Sequence, residues 1–302
     1  MYPPPALLVG VLLLAGCGAA APVPAAGGGR VLFELPDKSL RLVAATAHGS
    51  LVDVSARLGV TGPGALSRNG SWLVASTDDG CLVVSTGDFS KAEKVAAHGT
   101  CVAQYAESVD VSGDGALVVF NASGTHERDL YAVRRNGSGD WSQPVDLTGT
   151  GPYAVSKLPR LSDDAGTVVY DCSDGEESDE GTGICEVGTG GGAVRTVLKQ
   201  PLGDWTAFHS AAYRPDGGLV FECHHPGEEL VCALPPGGHE PVRVTAAGTS
   251  NDNSPCVLPD GRIASLLDTG THVLRVTGPG GADPVTVYDA QDVLDAGISC
   301  GR

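Results

Sequence analysis

The chain has 302 residues and a formal net charge of −17, with 19 lysines and arginines against 36 aspartates and glutamates. It has no basic stripe, which excludes nucleic acid as a partner and disfavours an anionic membrane surface. Hydrophobic residues make up 42% of the chain, enough to bury a core and to exclude global disorder. The 43 glycines and 20 prolines indicate many turns and few long helices, and short runs of Val, Leu and Ala indicate strands.

A targeting segment is predicted at the N-terminus. Residues 6–16 read ALLVGVLLLAG, an apolar run too short to span a bilayer but of the length found in signal-peptide cores. The run ends in Leu14-Ala15-Gly16-Cys17, which resembles the bacterial lipoprotein box, where the cysteine thiol carries a diacylglycerol. The sequence therefore predicts a lipoprotein signal peptide over residues 1–16, lipidation of Cys17 and a flexible lipidated tether over residues 17–30. An ordinary secretory signal cleaved near residues 19–21 is the alternative.

The remaining cysteines also favour export. Eight are left after Cys17, an even number whose spacing is not that of CxxC zinc pairs, so disulfides in an oxidising compartment are the simpler interpretation. The sequence favours the pairs Cys81 with Cys101, Cys172 with Cys185, Cys223 with Cys232, and Cys256 with Cys300. The predicted location is the bacterial cell envelope, at the periplasmic face of the outer membrane or at the cell surface, with the lipid on Cys17 in the membrane.

A short phrase recurs from residue 67 onward at intervals of 44 to 52 residues. It consists of Ser or Pro, then Asp or Asn, then Gly, then an apolar run. Periods near this length with strand-rich content predict propeller blades, and the Asp-Gly pair suits a tight hairpin turn because Gly accepts positive φ. The five turns are placed at Asn69-Gly70, Asp114-Gly115, Asp164 with Gly166 after one inserted Ala, Asp216-Gly217 and Asp260-Gly261.

A third strand follows at a fixed place in each copy and carries Tyr131, Cys185 or Cys232 at equivalent positions. The two local cysteine pairs would then join the second and third strands of neighbouring blades. A fourth strand follows, as in VDLT at residues 145–148, and four strands per copy fit a blade.

The copy at residues 109–148 resembles the TolB-like propeller family. It contains SGDGALVVF, then RDLYAV, then WSQPVDLT, and weaker versions extend the resemblance over residues 67–302. The resemblance implies a WD40-like β-propeller that contacts protein partners of the cell envelope.

The number of blades depends on how the ring closes. Residues 31–60 contain three strand-like runs, and the tail at residues 296–300 can add a fourth strand to them. Closure matters because an open ring leaves sheet edges exposed. The prediction is an all-β fold, a single propeller domain over residues 31–302 with six four-stranded antiparallel blades; five blades are the alternative.

No catalytic or metal-binding motif stands out. The acidic run at residues 173–180 is interpreted as a solvated hairpin tip rather than a calcium loop, because the spaced ligands of an EF-hand are missing. Adjacent His224 and His225, near Glu228 and Glu229, point to opposite sides of a strand, which disfavours one shared metal ion. The sequence therefore predicts a monomeric binding or scaffolding module without cofactor. A propeller-type hydrolase or lyase with a site at the central channel is the alternative.

Overall fold

A computed structural model describes residues 28–175, 183–200, 202–245, 251–268, 272–289 and 297–302. These residues form one short helix, α1 (Val54–Leu58), and 26 strands. In chain order the strands are β1 (Arg30–Glu34), β2 (Leu40–Ala44), β3 (Leu51–Asp53), β4 (Thr61–Leu66), β5 (Trp72–Ser76), β6 (Leu82–Thr86), β7 (Ala92–Lys94), β8 (Ala96–Ala97), β9 (Thr100–Cys101), β10 (Val109–Val111), β11 (Leu117–Ala122), β12 (Asp129–Arg134), β13 (Val145–Asp146), β14 (Val155–Leu161), β15 (Thr167–Ser173), β16 (Gly183–Gly188), β17 (Arg195–Leu198), β18 (Ala207–Tyr213), β19 (Leu219–His225), β20 (Glu228–Leu234), β21 (Val242–Arg243), β22 (Asn251–Val257), β23 (Ile263–Asp268), β24 (His272–Thr277), β25 (Val285–Asp289) and β26 (Ser299–Gly301).

The strands build six four-stranded antiparallel sheets and one small hairpin, β8–β9. From the axis outward, blade 1 is β26-β1-β2-β3, and blades 2 to 6 are β4–β7, β10–β13, β14–β17, β18–β21 and β22–β25. Each innermost strand contacts that of the next blade, and β22 contacts β26, so the ring is closed. The prediction of an all-β propeller with six blades is confirmed, and the five-bladed alternative is wrong.

The ring closes through the C-terminal strand, as the tail sequence predicts. In blade 1, β26 pairs antiparallel with β1, with Val31 opposite Cys300. The guanidinium of Arg30 holds both ends in place, because Nε donates to the Arg302 carbonyl at 2.8 Å and Nη2 donates to the Gly70 carbonyl at 2.6 Å. The start of β1 and the end of β26 therefore occupy the place where the other blades have a turn between their first and second strands.

Apolar side chains fill the spaces between neighbouring blades. Four disulfides add covalent links to this packing. The bonded pairs are Cys81–Cys101, Cys172–Cys185, Cys223–Cys232 and Cys256–Cys300, which are the pairs that the sequence favours. Cys172–Cys185 joins the second and third strands of blade 4, and Cys223–Cys232 joins the second and third strands of blade 5. Blade 3 has Tyr131 at the equivalent position, where its ring stacks on Phe120 with centroids 5.7 Å apart.

The repeat turns lie between the first and second strands of blades 2 to 6. Gly70, Gly115, Gly217 and Gly261 have φ between 67° and 85°, so a residue without Cβ suits them.

The third turn corrects the sequence interpretation, which placed Gly166 at the glycine position. Ala165 holds that position with a φ of 53°. The Gly166 N–H donates to Asp164 Oδ1 at 3.0 Å, just as the N–H of Ala116 donates to Asp114 Oδ1 at 2.9 Å. The turn therefore contains no inserted residue, and an alanine adopts the left-handed conformation.

The predicted signal peptide, Cys17 and the tether up to residue 27 lie outside the described residues. Within the described ranges, no helix has the length and apolar character needed to cross a bilayer.

Candidate functional site

The five repeat turns and the chain end surround a cavity of about 380 Å³ on the propeller axis, called here the axial funnel. All six blades contribute to its wall. The residue just before the Asp or Asn of each repeat turn lines it in every case: Arg68, Gly113, Asp163, Pro215 and Pro259. The shared geometry of the turns thus brings the same position of all five repeat phrases to one cavity, where it is occupied by Arg, Gly, Asp or Pro.

Arg68 crosses the funnel from blade 2. Its Nε lies 2.8 Å from Asp163 Oδ1 in blade 4, and its Nη1 donates to the Tyr213 carbonyl in blade 5 at 2.8 Å. Blades 2 and 5 face each other in a ring of six, so this side chain spans the axis. Burial lowers the pKa of Arg68, although the charges of Asp163 and Asp110 oppose that shift.

Arg160 and Asp110 lie deeper in the funnel wall. The guanidinium of Arg160 donates to the carbonyls of Pro159 at 3.0 Å and Ile298 at 3.1 Å. Asp110 Oδ2 accepts the N–H of Leu161 at 2.7 Å and so joins blade 3 to blade 4. Burial raises the pKa of Asp110 to about 6, although the charge of Arg160 acts in the opposite direction. A carboxyl group with a raised pKa therefore stands beside a half-buried arginine.

A second cluster lies towards the other end of the channel. His209 Nδ1 is 3.6 Å from Asp171 Oδ2, the His209 and His224 rings are 5.1 Å apart, and His224 Nε2 is 2.7 Å from Glu222 Oε1. Burial acts to lower the pKa of His209, but interactions with Asp171 and Glu222 outweigh it and raise that pKa. Burial acts to raise the pKa of Glu222, but the two histidines and a backbone N–H outweigh it and lower that pKa.

The carboxylates of this cluster also join blades. The backbone bulges in β18 and β22, where Ser210 and Ser254 have φ of 55° and 48°. The Ser210 N–H donates to Asp171 Oδ1 at 2.9 Å, and the Ser254 N–H donates to Glu222 Oε2 at 3.0 Å. Each carboxylate belongs to one blade and each amide to the next. The cluster therefore has a structural role, because it links blades 4, 5 and 6 through hydrogen bonds.

The sequence offers two candidate metal sites, the adjacent histidines and the acidic run, and the structure places the two histidines in different surroundings. His224 contacts Glu222, whereas His225 stacks edge-on against Trp205 with centroids 5.7 Å apart. Of the acidic run, residues 176–180 lie outside the described residues. Among those that the structure does describe, no group of three or more His, Cys, Asp or Glu side chains could hold a metal ion.

The funnel residues Arg68, Asp163 and Arg160 are absent from the sequence-based site prediction. One signal could have found two of them, because Arg68 and Asp163 occupy the same variable position of the repeat phrase and carry opposite charges. Arg160 has no such signal, because only the ring brings its strand to the axis.

No protein-family profile and no curated protein sequence matches the chain. Solved structures do match it as folds. The chain is similar to a putative TolB from Agrobacterium tumefaciens, at 15% identity and TM-score 0.61 over 88% of this chain and 90% of that one. It is also similar to TolB from Acinetobacter baumannii, at 11% identity and TM-score 0.64 over 93% of this chain and 68% of that one.

An oligogalacturonate lyase in complex with manganese matches at 14% identity and TM-score 0.53, over 86% of this chain and 78% of that one. Similarity at these identities defines the class of protein: a six-bladed β-propeller with TolB structures among its neighbours. It defines no activity.

Proposed function

We propose that the protein is an exported, lipid-anchored propeller that binds a protein partner of the cell envelope through the axial funnel. The observation that carries the proposal is the funnel itself. One variable residue from each repeat turn converges there on a shared, rigid frame. Loops held by such a scaffold are the usual place for binding residues. The TolB neighbours support the proposal as folds of the same class.

Export and the anchor are supported by the cysteines. Four disulfides are typical of an oxidising compartment, because reducing systems in the cytosol keep thiols reduced. The ninth cysteine, Cys17, directly follows the apolar run, which is the position of the cysteine in a lipoprotein box. A lipid on Cys17 would place the funnel within a short tether's reach of the membrane.

The anchor is tested by labelling growing cells with a radioactive fatty acid. Wild-type protein should take up label and fractionate with membranes, and Cys17→Ser should take up none. Ala19→Ser is the matched control, because it leaves the cysteine in place, and it should label like wild type. Equal labelling of Cys17→Ser and wild type would contradict the anchor.

Binding is tested by immobilising the protein on beads and adding detergent-solubilised envelopes. A partner should bind saturably and be released by an excess of the soluble protein. Captured material that the soluble protein does not displace would contradict the proposal.

A second candidate is a hydrolase or lyase with its site in the channel. The buried His209–Glu222 cluster favours it, because strongly interacting titratable groups collect at active sites, and a lyase propeller is among the structure neighbours. Metal analysis of the purified protein separates the candidates. A stoichiometric ion that survives dialysis would favour the enzyme, and metal-free protein that still binds its partner would favour the binding module.

A further inference from the structure

The axial funnel contains an arginine side chain that no carboxylate neutralises directly among the described residues. Arg68, Arg160 and Arg302 line it together with Asp110 and Asp163. Asp163 is paired with Arg68. Across the part of the chain that the structure describes, the Arg160 side chain has no carboxylate within ion-pair distance. In a chain with a net charge of −17, this cavity therefore offers an anion an arginine that no carboxylate neutralises directly.

Asp110 does not form an ion pair with Arg160. Its Oδ2 accepts the N–H of Leu161 at 2.7 Å, and its Oδ1 accepts the N–H of Val111 at 2.9 Å. Both oxygens are thus committed to the backbone of blades 3 and 4. Among the described residues, the Arg160 guanidinium donates only to carbonyl oxygens, whose partial charges neutralise it less well than a carboxylate does.

The ion pair between Arg68 and Asp163 is easily exchanged. The Asp163 side chain is 61% exposed, and ion pairs with one exposed member contribute little to stability. Nη2 of Arg68 is buried and has no hydrogen-bond acceptor among the described residues. A guanidinium presents its N–H groups as a planar fork that matches a carboxylate. A ligand carboxylate that displaced Asp163 would supply the acceptor that Nη2 lacks.

We propose that the axial funnel binds a carboxylate group, held by Arg68 and Arg160 after that group displaces Asp163. The cavity volume of about 380 Å³ is in the range of small-ligand sites and admits one or two acidic side chains or a small organic acid. The inference rests on the proposed function and deepens it. The carboxylate comes from an acidic segment of the protein partner or from a free acid of low mass.

The test measures binding of defined probes to the full-length protein by calorimetry at low salt. The peptide acetyl-Glu-Glu-amide and the free acid glutarate are the charged probes, and acetyl-Gln-Gln-amide is the uncharged control of the same shape. Both charged probes should bind and the Gln peptide should not. Tighter binding of the peptide assigns the carboxylate to a partner segment, and tighter binding of glutarate assigns it to a free acid. Equal binding of the Glu and Gln peptides would overturn the proposal.

Variants locate the site. Arg68→Gln and Arg160→Gln should each weaken binding of the charged probe about 10- to 100-fold, the usual effect of losing a charge-assisted hydrogen bond. Arg214→Gln is the matched control. This arginine lies in a repeat turn outside the funnel wall and pairs with Asp216 at 3.1 Å, so its loss should leave binding unchanged.

Asp163→Asn keeps the result decisive if an arginine variant folds poorly. Removing the internal competitor should tighten binding of the charged probe several-fold, an effect that damage to the fold does not produce. Unchanged or weaker binding in Asp163→Asn would overturn the proposal. Charged probes that bind while no envelope partner is captured would contradict the proposed function and leave the carboxylate site standing; capture of a partner without probe binding would do the reverse.

Discussion

The disulfide Cys256–Cys300 should contribute more to stability than the local disulfide Cys223–Cys232. The first pair is separated by 44 residues and the second by 9. With these loop lengths, the chain-entropy relation gives about 4 kcal/mol for the first and about 2.6 kcal/mol for the second. The difference should grow because Cys256–Cys300 also holds β26, a strand of only three residues that closes the ring. Its loss would release the closing strand from the core beside Ile298.

The assay is urea unfolding of two double variants, Cys256→Ala with Cys300→Ala and Cys223→Ala with Cys232→Ala, followed by tryptophan fluorescence. All four cysteines are buried, so each variant leaves comparable cavities and the comparison isolates the bridges. The closing-bridge variant should lose at least about 1.5 kcal/mol more of the free energy of unfolding. If the local-bridge variant were equally or more destabilised, the argument from ring closure would be refuted.

Two further predictions concern the repeat turns and the funnel wall. Gly115→Ala should destabilise more than Gly217→Ala: both lose about 1 kcal/mol from positive φ, but a Cβ at Gly115 would lie 2.3 Å from the Trp72 ring whereas Gly217 faces open space. Equal unfolding midpoints would contradict this. Because burial raises the pKa of Asp110 from 3.8 to about 6, the stability tied to its protonated form is present below pH 3.8 and lost as the pH rises through 6. Wild type should therefore lose about 3 kcal/mol relative to Asp110→Asn between pH 3 and pH 7, and a pH-independent difference between their free energies of unfolding would contradict the assignment.

The turns of this fold could be predicted because their chemistry is local. Asp114 accepts hydrogen bonds from the Ser112 hydroxyl and from the N–H of Ala116, so the phrase and its geometry lie within five residues. The closing strand could be predicted because residues 31–60 supply only three strands for blade 1. The C-terminal tail remains to pair with the open edge of that sheet. The local signal misled only where an alanine, Ala165, takes the conformation that glycine takes in the other turns.

The candidate site could not be predicted in the same way. Arg68 contacts the backbone of a residue 145 positions away, and Arg160 one that is 138 positions away. Such contacts depend on the closed ring and leave no period or spacing in the sequence. The carboxylates of Asp171 and Glu222 reach the bulges of the next blade for the same reason. These carboxylates accept hydrogen bonds from the bulged residues Ser210 and Ser254, and no residue pattern in the sequence predicts those bulges.

Site-specific photocrosslinking in living cells tests most directly whether the axial funnel is the binding surface. A photoreactive amino acid at Asn69, in the funnel wall, is compared with one at Val145, an exposed residue of the outermost strand of blade 3. If the funnel binds the partner, position 69 should give a discrete crosslinked adduct to an envelope protein and position 145 should give none. An adduct only from position 145, or none from position 69 when the partner is captured by other means, would contradict it.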